Sequence, residues 1–205
     1  PLLAIVIVPP VFSANAAGEM KASVEYSRDP STVVIAFREV FPEFAEQDPT
    51  PLIRIYGDGR VVVFHPSYMK KAGQYEMMLS QFELEELLLH LTPSLAGFDS
   101  TEVREQKKAA NELYRASIAE GEVLTEFRDS DAEFSVFHLN IDSYQAANNA
   151  GRTNFSSPLN KSWVGLQLDA RDYPGLEQIQ ALMQAEHTLR NLSRREELVM
   201  VESVP

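Results

Sequence analysis

The stretch Leu52 to His65, L-I-R-I-Y-G-D-G-R-V-V-V-F-H, sets the narrowest limit on how this chain folds. Two β-rich runs flank Asp58-Gly59, and that dipeptide supplies the positive φ angles that a two-residue type I′ hairpin turn requires. With Asp58 and Gly59 as the loop, the pairing puts Gly57 opposite Arg60, Ile55 opposite Val62 and Ile53 opposite Phe64. One face is then wholly apolar beyond the turn. The other pairs Tyr56 with Val61, Arg54 with Val63 and Leu52 with His65. A ribbon with one apolar face must be covered. The segment that follows supplies the cover: Leu84, Leu87, Leu88 and Leu91 fall at i, i+3, i+4 and i+7, the stripe of a buried helix. Ser80 is placed to cap that helix and Thr92-Pro93 to stop it.

The rest of the chain repeats the same kinds of signal. Lys21 to Tyr26 reads as an edge strand, Thr32 to Val40 as a β-branched strand, and Phe41 to Pro51, with its prolines, as a loop. Tyr75 to Leu79 is a further strand. Asp99 and Glu102 open a second helix in a capping-box arrangement, with Val103, Ala110, Leu113, Tyr114, Ser117 and Ile118 on its apolar face and Gly121 at its end. Val123 to Phe127 and Glu133 to Ile141 flank a polar turn and form a second hairpin, in which Phe137, Leu139 and Ile141 share one face. A long polar loop, Asp142 to Ser162, leads to a strand at Trp163 to Leu168. A helix follows Pro174 and runs to Leu192, its buried stripe marked by Leu176, Ile179, Leu182, Met183 and Leu189. Glu197 to Val204 closes the sheet. The expectation is an α+β fold: a largely antiparallel sheet of two hairpin-strand-helix units, with about three helices packed on one face. Residues 17–205 form one domain in this reading, with two halves, 17–98 and 99–205, that share an element order.

Composition limits the partners. The chain carries 18 basic and 30 acidic residues, a net charge of −12. That balance repels phosphate backbones and anionic membrane surfaces. Lys70-Lys71, Lys107-Lys108 and Arg194-Arg195 are the dense basic spots, each a single pair. No cysteine is present, which removes disulfides, thiolate metal sites and cysteine nucleophiles. Near the N-terminus, the apolar run Leu2 to Val8 precedes Ala14-Asn15-Ala16, a small-x-small pattern that fits signal-peptidase cleavage. Residues 1–16 are therefore expected to be a signal peptide whose charged start precedes this sequence, and the mature chain to be periplasmic or extracellular. The other readings of that segment are a buried strand and the tail of a membrane anchor. The visible apolar run is too short to span a bilayer by itself.

Catalytic signatures are absent: no nucleophile elbow, no phosphate loop, no zinc-protease helix and no dinucleotide fingerprint. Gly57-Asp58-Gly59 lies between strands rather than before a helix, so it reads as a turn and not as a phosphate cradle. His65, His90, His138 and His187 are dispersed, and a metal site needs several converging ligands. His65 and His138 could approach one another if both hairpins lie in one sheet. Asp129-Ser-Asp131-Ala-Glu133 alternates oxygen ligands but lacks the glycine and distant glutamate of a calcium loop, so it reads as an acidic hairpin tip. No metal or cofactor is expected. Asp169, Arg171 and Asp172 lie where a strand passes into a helix, a frequent position for functional groups in α/β architectures.

The segment with the composition of a binding surface is Asp142 to Ser162 with Trp163. Tyr144, Phe155 and Trp163 offer aromatic contact, and Asn148, Asn149, Asn154 and Asn160 offer amides. The candidate binding residues are Tyr144, Asn154, Phe155 and Trp163. Asp58 and Gly59 are structural turn residues. In the alternative reading, Trp163 packs in the core above a polar connection.

The run P-L-I-R-I-Y-G-D-G-R-V-V from Pro51, then Gly73-x-Tyr75, then the Leu-rich helix, resembles a pattern in uncharacterised exported bacterial proteins. The resemblance covers residues 51–91 and implies export and an α+β fold, with no catalytic residues to carry over. The functional expectation is an exported, non-catalytic protein that binds protein, peptide or glycan through a sheet edge or the 142–162 loop. A second reading is a periplasmic hydrolase that uses Asp169 or Asp172 with a histidine such as His138. A third is a membrane-tethered accessory domain.

Overall fold

The computed structural model describes residues 21–40, 52–117, 132–147 and 151–202. Its elements in chain order are strands β1 (Ser23–Glu25), β2 (Val33–Val40), β3 (Ile53–Tyr56), β4 (Arg60–His65) and β5 (Gly73–Met78), then helices α1 (Gln81–Ala96) and α2 (Ser100–Ser117). They continue with β6 (Phe134–Leu139), β7 (Ser143–Gln145), β8 (Thr153–Asn154), β9 (Leu159–Val164), α3 (Leu166–Asp172), α4 (Glu177–Leu192) and β10 (Val199–Glu202). Seven strands make one antiparallel sheet in the order β10-β5-β4-β3-β2-β6-β9, and β1, β7 and β8 make a small second sheet. The fold is α+β, with strands from both sides of residue 98 in the main sheet.

Alternation decides the two faces of that sheet. Ile35, Phe37, Ile53, Ile55, Val61 and Val63 are fully buried or nearly so, and cross-strand pairing puts them on one side with Phe137 and Leu139. Leu84, Leu88, Leu91 and Leu95 of α1 and Ile179, Leu182 and Leu189 of α4 belong to the same core cluster. The helices thus cover the Phe37 side of the sheet. The opposite side carries Ala36, Arg38, Arg54, Val62, Val136 and His138.

The hairpin around Asp58 forms, with a register one residue from the expected one. Ile55 pairs with Val61 and Ile53 with Val63, so the loop is Gly57-Asp58-Gly59. Gly59 adopts φ +96°, and its N–H donates to the Tyr56 carbonyl at 2.9 Å. This is a three-residue hairpin loop that ends in a left-handed residue. Gly57 is drawn into the loop by its neighbours: its N–H donates to Thr32 O at 3.0 Å, and a Cβ there would lie 2.1 Å from Ser27 O. The shift exchanges partners. Arg54 lies opposite Val62, and Val63 faces the core.

Four other expectations change. Helix α1 does not stop at Pro93 but runs through it to Ala96, because Leu91, Thr92 and Leu95 are all buried against the sheet. Thr92 Oγ1 donates to Leu88 O at 2.6 Å within that stretch. Helix α2 buries Val103, whereas Leu113 and Tyr114 are exposed, so the apolar face expected there is covered only at its start. Leu166 and Leu168 belong to α3 rather than to the preceding strand. The 142–162 segment is not an irregular loop throughout: β7 and β8 pair within it and β1 joins them. The expected strand at 123–127, the turn after it, Ile118, Gly121 and the N-terminal segment lie outside the described residues. Among the described residues, no helix is long and apolar enough to cross a membrane.

Candidate functional site

The sheet face turned away from α1 and α4 bears the chain's clearest candidate site. A row of directly paired residues crosses five neighbouring strands there: Val62, Arg54, Ala36, His138 and Asn160. Arg38 stands two residues along β2 from Ala36, opposite Val136. Arg54, Ala36, Arg38, Val136, His138 and Asn160 line a shallow depression of about 300 Å³, with Ala36, the smallest of them, between Arg54 and His138 in the row. Apolar residues of this face, Val62, Phe64, Val136 and Phe134 among them, are not members of the core cluster, although Val62 is itself only 7% exposed. The face is therefore apolar surface that the core does not use.

Two cations sit in that surface. Arg38 and Arg54 have no ion-pair or hydrogen-bond partner among the described residues, while their neighbour Arg60 stacks over the Tyr56 ring at 4.0 Å and lies 3.7 Å from Glu76. Antiparallel geometry places Arg38 and Arg54 as diagonal neighbours on adjacent strands, their Cα atoms roughly 7–8 Å apart. His138 Nδ1 lies 2.9 Å from Asn160 Oδ1, and Asn160 Nδ2 donates to Pro158 O at 3.3 Å. The second contact fixes the amide orientation, so Nδ1 is the donor and Nε2 is left as the free ring nitrogen. The result is two guanidiniums and an imidazole around the small side chain of Ala36.

Residues singled out from the sequence are distributed as follows. Tyr144 and Asn154 lie on neighbouring strands of the small sheet, where Tyr144 pairs with Thr153 and Asn154 with Ser143. Tyr144 and Phe155 are half-buried against the core, and Asn154 is exposed. Trp163 is apart from them, buried on β9, with Phe98 edge-on at 5.7 Å between centroids and Arg104 5.6 Å from its ring. Its indole N–H is taken by Asp169, which also binds Lys107. Asp172 is exposed and paired with Arg171, whose guanidinium holds the carboxyl below its ordinary pKa. Asp169 packs on the helix side of the sheet and His138 faces the other, so the hydrolase constellation is not brought together. Asn148, Asn149 and Asp129 to Asp131 lie outside the described residues.

The remaining histidines stay dispersed. His90 and His187 are exposed and near Thr188 and Asn191 respectively. His65 is on the helix side, edge-on to Tyr75 at 5.4 Å, and does not meet His138. Burial, with the charge of Lys71, holds its pKa below the ordinary imidazole value. It lines a second, smaller depression with Lys71, Arg194 and Arg195. Among the described residues, no three histidines or carboxylates converge as metal ligands.

One buried polar cluster was not legible in the sequence. Arg190 of α4 is ion-paired with Glu39, Glu133 and Glu186, and Ser135 donates to Glu186. Gln167 donates to both Glu133 and Glu186. Glu39 meets Arg190 through Oε1, and its pKa is raised to about 7, by burial first and then by Glu133 and Glu186 against the pull of Arg190. This cluster ties α4 to β2 and β6.

Compared with family models, with curated proteins and with solved structures, the chain matches none.

Proposed function

We propose that this chain is a binding protein that recognises a polypeptide partner on the face of its seven-stranded sheet opposite helices α1 and α4. The observation that carries this reading is the depression around Ala36, flanked by two arginines that have no ion-pair partner among the described residues. Extended apolar surface rimmed by polar groups marks interaction sites on soluble proteins, and arginine is enriched in them. The face is favoured over the sheet edges. Edge strand β10 exposes Val199, Met200 and Val201, but a register shift before Glu202 and that residue's charge interrupt the ladder a docking strand needs. The hydrolase reading draws less support, since Asp169 is occupied by Trp163 and Lys107 and lies away from His138.

Export remains part of this proposal. It is supported by the small-x-small site at Ala14 to Ala16 and by the resemblance of residues 51–91. N-terminal sequencing of the protein recovered from a periplasmic fraction tests it; a start near Ala17 is expected, and recovery only with the cytoplasm contradicts it.

The binding role is tested by filling the depression. Ala36→Trp places a large side chain in it. Polypeptides retained by the immobilised wild type and released by this variant, at equal thermal stability, are the expected result. Retention of the same polypeptides by both forms would remove the face from the function.

A further inference from the structure

Resting on the binding role assigned above to the open face, we infer that the segment docked there is extended and carries carboxylates at alternate positions, an acidic-x-acidic pattern. Charge singles out the chemistry. In a chain of net charge −12, two guanidiniums without partners among the described residues share one depression. Six other arginines are ion-paired, among them Arg28 with Glu85, Arg171 with Asp172, Arg190 with three glutamates and Arg195 with Glu83 and Glu197, whereas Arg104 lies over the Trp163 ring and Arg194 has no ion pair among the described residues. An unpaired guanidinium retains five donors in a planar fork suited to a carboxylate.

Spacing singles out the pattern. Arg38 on β2 and Arg54 on β3 are diagonal neighbours, so their stems leave the sheet roughly 7–8 Å apart. An extended chain advances about 3.3 Å per residue and presents every second side chain on one face, so residues i and i+2 are about 6.6 Å apart. Two acidic side chains at that spacing reach one guanidinium each. Adjacent acidic residues point to opposite faces and reach only one. The intervening surface of Ala36 and Val136 offers apolar contact to the other side chains of the segment, which a phosphate-dense polyanion does not use. The overall negative charge also repels such a polyanion. His138 lines the same depression, its Nε2 an acceptor for a backbone N–H of the segment rather than for a carboxylate.

The experiment uses the full chain and two fluorescein-labelled nonapeptides of the same composition, rich in serine and valine. One has glutamates at positions 4 and 6, the other at 4 and 5; a third replaces both glutamates with glutamine. Fluorescence anisotropy is expected to show the alternating peptide bound about tenfold more tightly than the adjacent isomer, the difference worth one well-placed charge pair. Its affinity falls as salt rises, and Arg38→Gln and Arg54→Gln each remove the preference while far-UV circular dichroism stays unchanged. Equal binding of the two glutamate isomers overturns the pattern. Equal or tighter binding of the glutamine peptide, abolished by Ala36→Trp, overturns the acidic chemistry while leaving the face as the binding site. Binding that neither the arginine variants nor Ala36→Trp alters overturns both. The isomer comparison needs no variant, so it decides the pattern even if a substitution unfolds the chain.

Discussion

Trp163 donates its indole N–H to Oδ2 of Asp169 at 2.8 Å, with both side chains buried. The other carboxylate oxygen accepts from Lys107 Nζ at 2.6 Å, so one side chain joins β9, α3 and α2. Removing it strips a buried N–H and an ammonium of their shared acceptor. Asp169→Ala is expected to cost about 3 kcal/mol or more, the penalty of breaking a buried pair from one side. Urea unfolding measures it. A midpoint equal to wild type would deny the residue this structural role.

Three glycines give a graded test of the hairpin. Gly59→Ala forces a side chain onto φ +96° and sets its Cβ 2.4 Å from the Leu79 carbonyl oxygen. A left-handed non-glycine residue alone costs about 1–3 kcal/mol, and the contact adds to it. Gly57→Ala has no such backbone strain, but its Cβ would meet the Ser27 carbonyl oxygen at 2.1 Å, so the 27–32 turn must move. Gly151→Ala meets nothing within 4 Å and is expected to stay within about 0.5 kcal/mol of wild type. Thermal melts of the three variants give the order; a Gly59→Ala protein as stable as Gly151→Ala would contradict this turn geometry.

The cap of α1 is both readable and measurable. Ser80 Oγ accepts from Glu83 N at 3.2 Å, and Glu83 accepts from Ser80 N at 2.8 Å, the reciprocal capping box. The Ser80 N–H, together with the Ser80 hydroxyl that also donates to it at 2.8 Å, holds the Glu83 carboxyl below its ordinary pKa. Ser80→Ala is expected to lower stability by about 1 kcal/mol in chemical denaturation. No loss at all would mean that the helix end is held by its packing alone.

The capping serine was visible in the sequence because it is local, a serine just ahead of a leucine stripe; its reciprocal partner Glu83 was not singled out. The strands β2 to β5 were visible for the same reason, through β-branched runs and turn residues. The hairpin register was not. Val61, Val62 and Val63 are all buried, so the apolar pattern does not distinguish the two faces, and the contact of Gly57 with the 27–32 turn is long-range. Pro93 read as a stop because local propensity ends a helix there, whereas burial of Leu91, Thr92 and Leu95 carries it onward. The candidate site was hidden most completely. Arg38 and Arg54 meet His138 only because β2 pairs with β3 on one side and β6 on the other. The one sequence signal was their alternation with core residues, Phe37 beside Arg38 and Ile53 beside Arg54.

Glu39 gives stability a pH dependence of defined sign. Its carboxyl titrates at about 7 in the folded chain, against an ordinary value of 4.5, because burial and the charges of Glu133 and Glu186 outweigh the attraction of Arg190. A raised pKa means that the fold favours the protonated form. The stability so contributed is complete below about pH 4.5 and is lost as pH rises through about 7. Glu39→Gln stays neutral throughout and keeps an amide at the site. Relative to wild type, this variant is expected to gain stability steadily from pH 5 to pH 8, with the difference levelling off above pH 8. Urea midpoints of both proteins across that range test the assignment. Curves that run parallel from pH 5 to pH 8 would mean that Glu39 is ionised throughout and that Arg190 fully offsets its burial.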